Sequence, residues 1–183
     1  MPSASRTGHT FAGWYTAASG GSKIGNASAT WKPTSSSTLY AHWTANTYKI
    51  TYNANGGSGA PSAQTYTYAS SGSFALSSTK PTRTGYTFLG WSQSSTATSA
   101  SYSAGQQWSY SNASNYTLYA VWKINTYTVS YNANGGSGAP SAQTKTYGTA
   151  LTLSSTKPTK SNTTATGYTV TFNGNGGTPS KTS

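Results

Sequence analysis

The amino-acid sequence predicts a mostly β protein that is assembled from tandem repeats. Fourteen residues, YNANGGSGAPSAQT, occur twice without a change, at 52–65 and 131–144, which indicates a tandem array of one structural unit. Large apolar and polar residues alternate in the runs that lead into both copies, as in half-buried strands. An Asn-Gly-Gly turn signal follows each of these runs.

The first predicted strand of each repeat places three large apolar side chains on one face. It ends at the Asn-Gly-Gly signal, because Asn and Gly tolerate the positive φ that tight turns demand. The chain is expected to reverse there or to enter a short loop. A second strand is predicted at about 64–68, and its copy at about 143–147. The apolar residues of the first strand are, copy by copy, Tyr48, Ile50 and Tyr52; Tyr127, Val129 and Tyr131; and Tyr168, Val170 and Phe172.

A proline and another alternating run mark the second half of the repeat. Pro81 excludes a helix that runs through this point. The run that follows is expected to place Tyr86, Phe88 and Gly90 on one face. The earlier copy has His9 in the place of Tyr86, so we expect this imidazole to replace a packed ring.

A final strand closes the unit with Leu-Tyr-Ala-Val-Trp at 118–122, which matches Leu-Tyr-Ala-His-Trp at 39–43. Leu, Ala and Trp are expected to face one way, and Tyr with Val or His the other way. His42 therefore takes the place of Val121, and we expect a structural role for it as well.

Aromatic rings are expected to form the core. Hydrophobic residues make up only 33% of the chain, but 14% of all residues are aromatic. Because each ring buries about 150–250 Å², a few rings per repeat can close a small core. The predicted core residues recur in register between the copies, and they are Trp14, Phe11, Trp43, Trp91, Phe88 and Trp122.

The connection before the last strand differs most between the copies, and variable loops on a repeated scaffold are where recognition residues are usually found. If the protein binds a ligand there, these loops supply the candidate contact residues. The alternative is that their rings pack against their own sheet. The candidates are Trp31, Trp108, Tyr110 and Lys23.

The composition excludes several classes of enzyme. The 183 residues contain no Asp, no Glu and no Cys. Paired carboxylates, carboxylate sites for hard cations, thiolate zinc sites and cysteine nucleophiles are therefore all missing. His9 and His42 have no acidic side chain to orient them. We expect no catalysis, no cofactor and no bound metal.

Eleven Lys and Arg residues give the chain a formal charge of +11. Such a field attracts polyanions, although it is also what remains when acidic residues are absent. Most of the basic residues stand singly and no nucleic-acid-binding motif accompanies them, so the sequence gives little reason to expect nucleic-acid binding. No apolar run is long enough to cross a membrane, and we expect no membrane insertion.

Three sequence blocks recur in a constant order: a strand ending in NANGG, then KPTRTGYTFxGW, then LYAxW. Together they resemble the Listeria–Bacteroides repeat family, the internalin B-type B-repeat. The resemblance implies small β-grasp-like domains in an elongated array and no catalytic residues. It also implies an extracellular role on bacterial surface proteins, as spacer and adhesive segments, or in phage structural proteins.

The block order divides the chain into four parts. Residues 1–46 hold the C-terminal half of a repeat, 47–125 a complete repeat, 126–167 an N-terminal half, and 168–183 the start of a further repeat or an exchanged strand. The two halves are complementary. They are expected to be cut from a longer array or to complete each other between chains in a head-to-tail fibre. The third alternative is closure within one chain, which would have to bridge the intact central repeat.

Three functions remain open. The first is a non-enzymatic extracellular structural and adhesive module of a bacterial surface protein. The second is a subunit of an extracellular filament or phage virion that assembles by half-repeat exchange. The third is a module that binds a glycan or anionic polymer. The expected partners are accordingly other copies of the chain, neighbouring repeats of a longer chain, or a cell-surface glycan or anionic cell-wall polymer.

Overall fold

A computed structural model describes residues 1–69, 72–110 and 112–161. In these ranges it contains eleven strands and no helix, so the prediction of a mostly β protein is confirmed. The β-grasp-like detail and the elongated array stay predictions. The strands are β1 (His9–Tyr15), β2 (Lys23–Gly25), β3 (Tyr40–Ala45), β4 (Thr47–Asn53), β5 (Gln64–Thr67), β6 (Gly72–Ala75), β7 (Tyr86–Ser92), β8 (Gln107–Tyr110), β9 (Tyr116–Ile124), β10 (Thr126–Val129) and β11 (Gln143–Thr146).

The chain forms two compact units, Met1–Asn125 and Thr126–Ser183. In the first unit, the complete repeat is built on a four-stranded sheet with the order β5-β4-β9-β7. The central strands β4 and β9 are parallel, and each outer strand is antiparallel to its neighbour. A parallel pair needs a long crossover connection. Here that connection contains β5 to β8, so one repeat supplies both the sheet and its cover.

The cover is a second, two-stranded sheet of β6 and β8. Phe74 on β6 stacks on Tyr66 of the large sheet, with ring centroids 5.6 Å apart, and Trp108 on β8 meets Tyr116 edge-on at 4.6 Å. The core between the two sheets is therefore mainly aromatic. Its buried residues are Ile50, Tyr52, Tyr66, Leu76, Trp91, Trp108, Tyr110, Leu118 and Ala120.

Strand β7 carries a bulge that changes the face on which its tryptophan lies. The register with β9 shifts between Phe88 and Gly90, and an extra residue in one strand reverses the alternation beyond it. Trp91 therefore lies on the side of Phe88, with ring centroids 5.1 Å apart. The prediction that Gly90 shares a face with Phe88 is wrong for this reason.

The bulge glycine also permits a close backbone contact. Gly90 has a φ of 145°, which L side chains rarely adopt, and a Cβ there would lie 2.4 Å from the carbonyl oxygen of Tyr102. The segment around Tyr102 covers this face, on which Val121 lies opposite Gly90. Val121 is consequently buried. Both faces of β9 are therefore covered at this point, although simple alternation predicts only one buried face.

The N-terminal half-repeat reproduces the second half of this sheet. Its strands pair in the order β2-β1-β3, and β1 has the same bulge between Phe11 and Gly13. The ring of Phe11 lies 5.5 Å from each of Trp14 and Trp43. All three rings are only half-buried. The described residues thus build the same aromatic cluster here with less cover.

The second unit begins with the antiparallel hairpin of β10 and β11. Predicted strand residues up to Tyr131 are only partly confirmed, because β10 ends at Val129. Among the described residues, β10 pairs with β11 alone. No described strand pairs with its other edge in the way that β9 pairs with β4. The predicted strand at 168–172 lies outside the described residues.

Candidate functional site

A cleft of about 720 Å³ opens beside the Asn-Gly-Gly turn of the complete repeat. It lies between that turn, the residues that precede β7, and the side chains that β7 and β9 present. The cleft therefore combines exposed backbone, hydroxyl groups, one cation and aromatic rings. Its lining residues are Gly56, Gly57, Ser58, Pro81, Thr82, Arg83, Thr84, Tyr86, Phe88 and Trp122.

Local hydrogen bonds hold the turn side of the cleft. Asn55 has a positive φ of 48°, as its turn position was predicted to require, and its N–H donates to the Asn53 side-chain oxygen at 2.7 Å. Ser58 and Thr82 form an isolated bridge in which each N–H donates to the other's carbonyl oxygen, at 2.8 and 2.9 Å. The turn is thereby tied to the segment that leads into β7. This wall of the cleft is pre-formed.

Aromatic rings form the opposite wall. The Trp122 indole N–H donates to the carbonyl oxygen of Ala54 at 2.9 Å, and its ring packs on Phe88 with centroids 5.6 Å apart. A Cβ on Gly57 would lie 2.6 Å from the Trp122 ring, so only glycine fits under it. Trp122 thus joins the turn to the sheet and remains half-exposed along the cleft.

Arg83 is the cation of the cleft. Its guanidinium carbon lies 3.9 Å from the ring centroid of Tyr86, a cation–π contact. The same carbon is 3.4 Å from the position that a Cβ on Gly56 would take. Because the chain contains no Asp or Glu, no side-chain carboxylate can neutralise this guanidinium. The cleft is therefore positively charged at one end and apolar at the other.

Each half-repeat contains a part of this cleft. In the second unit, Ser137 and Thr159 repeat the bridge with hydrogen bonds of 2.7 and 2.9 Å, and the Lys160 ammonium lies 3.9 Å from the Cβ position of Gly135. In the N-terminal half-repeat, Phe11 and Trp43 repeat the aromatic pair. Among the described residues, only the complete repeat has both walls in one place.

The four predicted ligand contacts do not come together. Trp108 and Tyr110 are 5% and 8% exposed in the core of the complete repeat. Trp31 and Lys23 lie in the N-terminal half-repeat, where Trp31 is half-buried beside Trp14 and the Lys23 stem passes over Gly13. The role of all four residues in ligand binding stays a prediction. The rings of Trp108 and Tyr110 pack in the core.

The cleft residues are not among the predicted ligand contacts, although the sequence contains a signal for the position of their cation. A basic residue stands at one repeat position in all three copies, as Arg6, Arg83 and Lys160. Read singly along the chain, these residues look scattered. Only the fold shows that this position lies beside the turn and the aromatic pair.

Both histidines contact aromatic rings. His9 meets Tyr68 edge-on with ring centroids 5.9 Å apart. His42 stacks on Tyr15 at 3.8 Å and its Nε2 donates to the carbonyl oxygen of Ala17 at 2.8 Å. Within residues 1–69, 72–110 and 112–161, no three or more His, Cys, Asp or Glu side chains gather as metal ligands would.

Burial raises the pKa of two core tyrosines, Tyr52 and Tyr66. The Tyr52 hydroxyl accepts a hydrogen bond of 2.9 Å from the Ser77 N–H, and the Tyr66 hydroxyl donates to the carbonyl oxygen of Ser114 at 2.7 Å. Both hydroxyl groups are thus engaged inside the fold, away from the cleft. They hold core segments together and are in no position to act on a bound molecule.

No helix with the length and hydropathy to span a bilayer occurs in the part of the chain that the structure describes.

Comparison with curated proteins gives several relatives at similar identity. A protein of Evansella cellulosilytica, named as a Gly-rich membrane protein, is 35% identical over 80% of this chain and 16% of its own length. A second membrane protein of that organism is 35% identical over 63% of this chain and 16% of its own length. Internalin H of Listeria monocytogenes is 35% identical over 66% and 20%. The chain thus spans a fifth or less of these relatives. No solved structure matches it.

A family profile identifies the repeats themselves. The profile of the Listeria-Bacteroides repeat domain matches residues 1–42, 48–121 and 127–167. These stretches cover most of the chain, and together they contain at least half of every strand from β1 to β11. The chain belongs to the Listeria-Bacteroides repeat family.

Proposed function

We propose that the chain is a non-enzymatic structural and adhesive segment of an extracellular bacterial surface protein. The observation that carries this proposal is the reuse of one scaffold, with the same bulge and aromatic cluster at Phe11–Trp43 and Phe88–Trp122. Repetition of a scaffold adds reach and binding valency. It adds nothing to a single catalytic centre, and the chain lacks the acidic and thiol groups on which most such centres depend.

The relatives support an extracellular surface setting. Internalin H and the two membrane proteins of Evansella cellulosilytica each contain a similar segment within a much longer chain. A short segment shared by long proteins of different names is typical of a modular spacer. The net charge of +11 would favour contact with anionic polymers of a cell envelope.

Adhesion is tested with beads that carry the full chain through one site-specific tag. We expect these beads to stay on a surface coated with anionic glycan under flow that removes beads carrying an unrelated folded protein of similar net charge. Heating the coated beads above the unfolding temperature should abolish the difference. Equal detachment of the two kinds of bead would refute the adhesive role.

The structural role is tested by stretching the full chain as a single molecule. We expect the complete repeat to unfold in one force step, because β4 and β9 lie at opposite ends of its sequence and pair directly. Gradual extension without a step would contradict a spacer that resists force.

A second candidate function is assembly by half-repeat exchange. Among the described residues of the second unit, Leu153 and Tyr127 are 62% and 51% exposed, whereas Leu76, the counterpart of Leu153, is 2% exposed. The second half of a repeat supplies the cover for Leu76 in the first unit. Residues 1–46 of another copy could supply it for Leu153, head to tail. Light scattering against concentration tests this, since a particle of constant 18.9 kDa mass would exclude assembly.

A further inference from the structure

We infer that the cleft of the complete repeat binds one acidic sugar residue of an anionic glycan, with Arg83 holding the anionic group and Trp122 and Phe88 lying beside the sugar ring. This inference rests on the proposed adhesive function and specifies its ligand. It gives the complete repeat one binding position that does not involve the predicted loop residues.

The anionic group is assigned to Arg83 because of its surroundings. A guanidinium forms paired, charge-assisted hydrogen bonds with a carboxylate or sulfate. The cation–π contact with Tyr86 holds the guanidinium in place beside the turn, so less of its freedom is lost on binding. The absence of acidic residues leaves no side chain in the protein to compete with an incoming anion.

The sugar ring is assigned to the aromatic wall. Binding clefts typically combine an apolar surface with a few polar groups that fix the orientation of the ligand. Here Phe88 and Trp122 supply the apolar surface, and the hydroxyl groups of Ser58, Thr82 and Thr84 line the same cleft. A sugar has C–H groups for the rings and hydroxyl groups for the side chains. A flexible polyol phosphate lacks the ring face of C–H groups that this wall would contact.

The half-repeats limit the number of binding sites that we expect in one chain. Lys160 stands beside its turn without the aromatic pair, and Phe11 with Trp43 stands without the turn, among the described residues of each half-repeat. We therefore expect one site in a chain that carries one complete repeat. Assembly of two half-repeats would create a second site.

The test compares two variants that each lose one positive charge, Arg83→Gln in the cleft and Lys49→Gln. Lys49 is exposed on β4, four residues before Asn53, whereas the turn that borders the cleft follows Asn53. Calorimetry of the full chain at low salt uses a heparin-derived hexasaccharide as the probe. Loss of a bidentate charged contact should weaken binding about tenfold or more in Arg83→Gln, and Lys49→Gln should change it less than twofold. Equal losses would show diffuse attraction only and would overturn the inference.

A spectroscopic measurement locates the bound probe. The chain has six tryptophans, and their indole N–H signals can be followed separately by NMR. The probe should shift the signal of Trp122 and leave that of the buried Trp108 unchanged. Shifts confined to Trp31 would place binding in the variable loop and would refute the cleft.

A second probe distinguishes the source of the anion. A glycerol-phosphate oligomer of equal charge offers phosphate without a sugar ring, and it should bind at least several times more weakly than the hexasaccharide. Equal affinity of the two probes would exclude the assigned role of the aromatic wall. If Arg83→Gln beads still adhere as well as the unaltered chain, the cleft fails while the adhesive function stands, so the two failures can be told apart.

Discussion

The two identical fourteen-residue segments, 52–65 and 131–144, are buried to different extents in this protein. In the complete repeat they begin in β4, which is seven residues long and runs to Asn53. In the second unit the preceding strand β10 is four residues long and ends at Val129. Tyr52 is buried, whereas its copy Tyr131 is only half-buried. Identical sequence therefore does not ensure an equal contribution to a core.

The local geometry, in contrast, is the same in both copies. The turn residues Asn55 and Asn134 have φ values of 48° and 47°. The hydroxyl of Tyr52 donates to the Gln64 side chain, and Tyr131 does the same to Gln143. Short-range contacts therefore specify the hairpin and its turn. Burial comes from strands that are distant in sequence, above all β9 beside β4.

The largest effect is expected when the buried ring of β7 is removed. Trp91 is fully buried and lies 4.9 Å from Tyr52 between ring centroids. Trp91→Ala should lower the free energy of unfolding of the complete repeat by about 3–5 kcal/mol. The free energy of unfolding of that repeat would then be closer to that of the weakly covered second unit.

Urea unfolding of the full chain, followed by residue-resolved NMR, measures this loss. Trp14→Ala at the equivalent, half-buried position is the matched control and should cost less, since fewer contacts are lost there. Equal losses at the two positions would contradict the link between burial and stability in this scaffold.

The leucines of the repeated LSSTKPT segment have identical neighbours in sequence and very different exposure. Leu76→Ala should destabilise the complete repeat by about 2–5 kcal/mol, because its side chain is 2% exposed. Leu153→Ala, at 62% exposure, should stay within about 0.5 kcal/mol. Both variants are measured by the same urea titration at low protein concentration. A large loss at Leu153 that grows with protein concentration would instead support half-repeat exchange.

The smallest effect concerns alkaline pH. Burial raises the pKa of Tyr52 above its usual value of about 10. Since the folded state holds this proton more tightly, its stabilising effect is complete below about pH 10 and is lost as pH rises through the folded pKa. Tyr52→Phe should reduce the fall in unfolding free energy between about pH 9 and the highest pH at which the chain stays folded, because tyrosine titrates in this range. An unchanged slope would contradict this.

Much of the local structure could be predicted from the sequence. The strands that hold Tyr48–Tyr52 and Tyr127–Val129, the turns after them and the strands that carry Trp91 and Trp122 all follow from alternation and turn residues. The bulge before Gly90 could not be predicted in this way. It depends on pairing with β9 and on the Tyr102 segment that packs against it.

The residues of the candidate site are visible in the sequence, but the way in which they come together could not be predicted from it. Arg83 and Trp122 could each be seen in the sequence, one as a cation three residues after Lys80 and the other as a predicted core residue. Their common cleft arises from the turn at Gly56. Trp122 is hydrogen-bonded to this turn at Ala54, and the Arg83 guanidinium lies beside it. These contacts link residues 54–56 with residues 83 and 122, and alternation within a strand carries no information about such distant pairs.

The repeat, the strands, the turn conformations and the lack of acidic and thiol groups can be read from the chain alone, because each depends on composition or on residues that are close together in the sequence. Which copies of these residues are buried, and which cation faces an aromatic wall, depends instead on tertiary pairing. Burial requires a partner strand, and identical strands with different partners lose different amounts of contact with water.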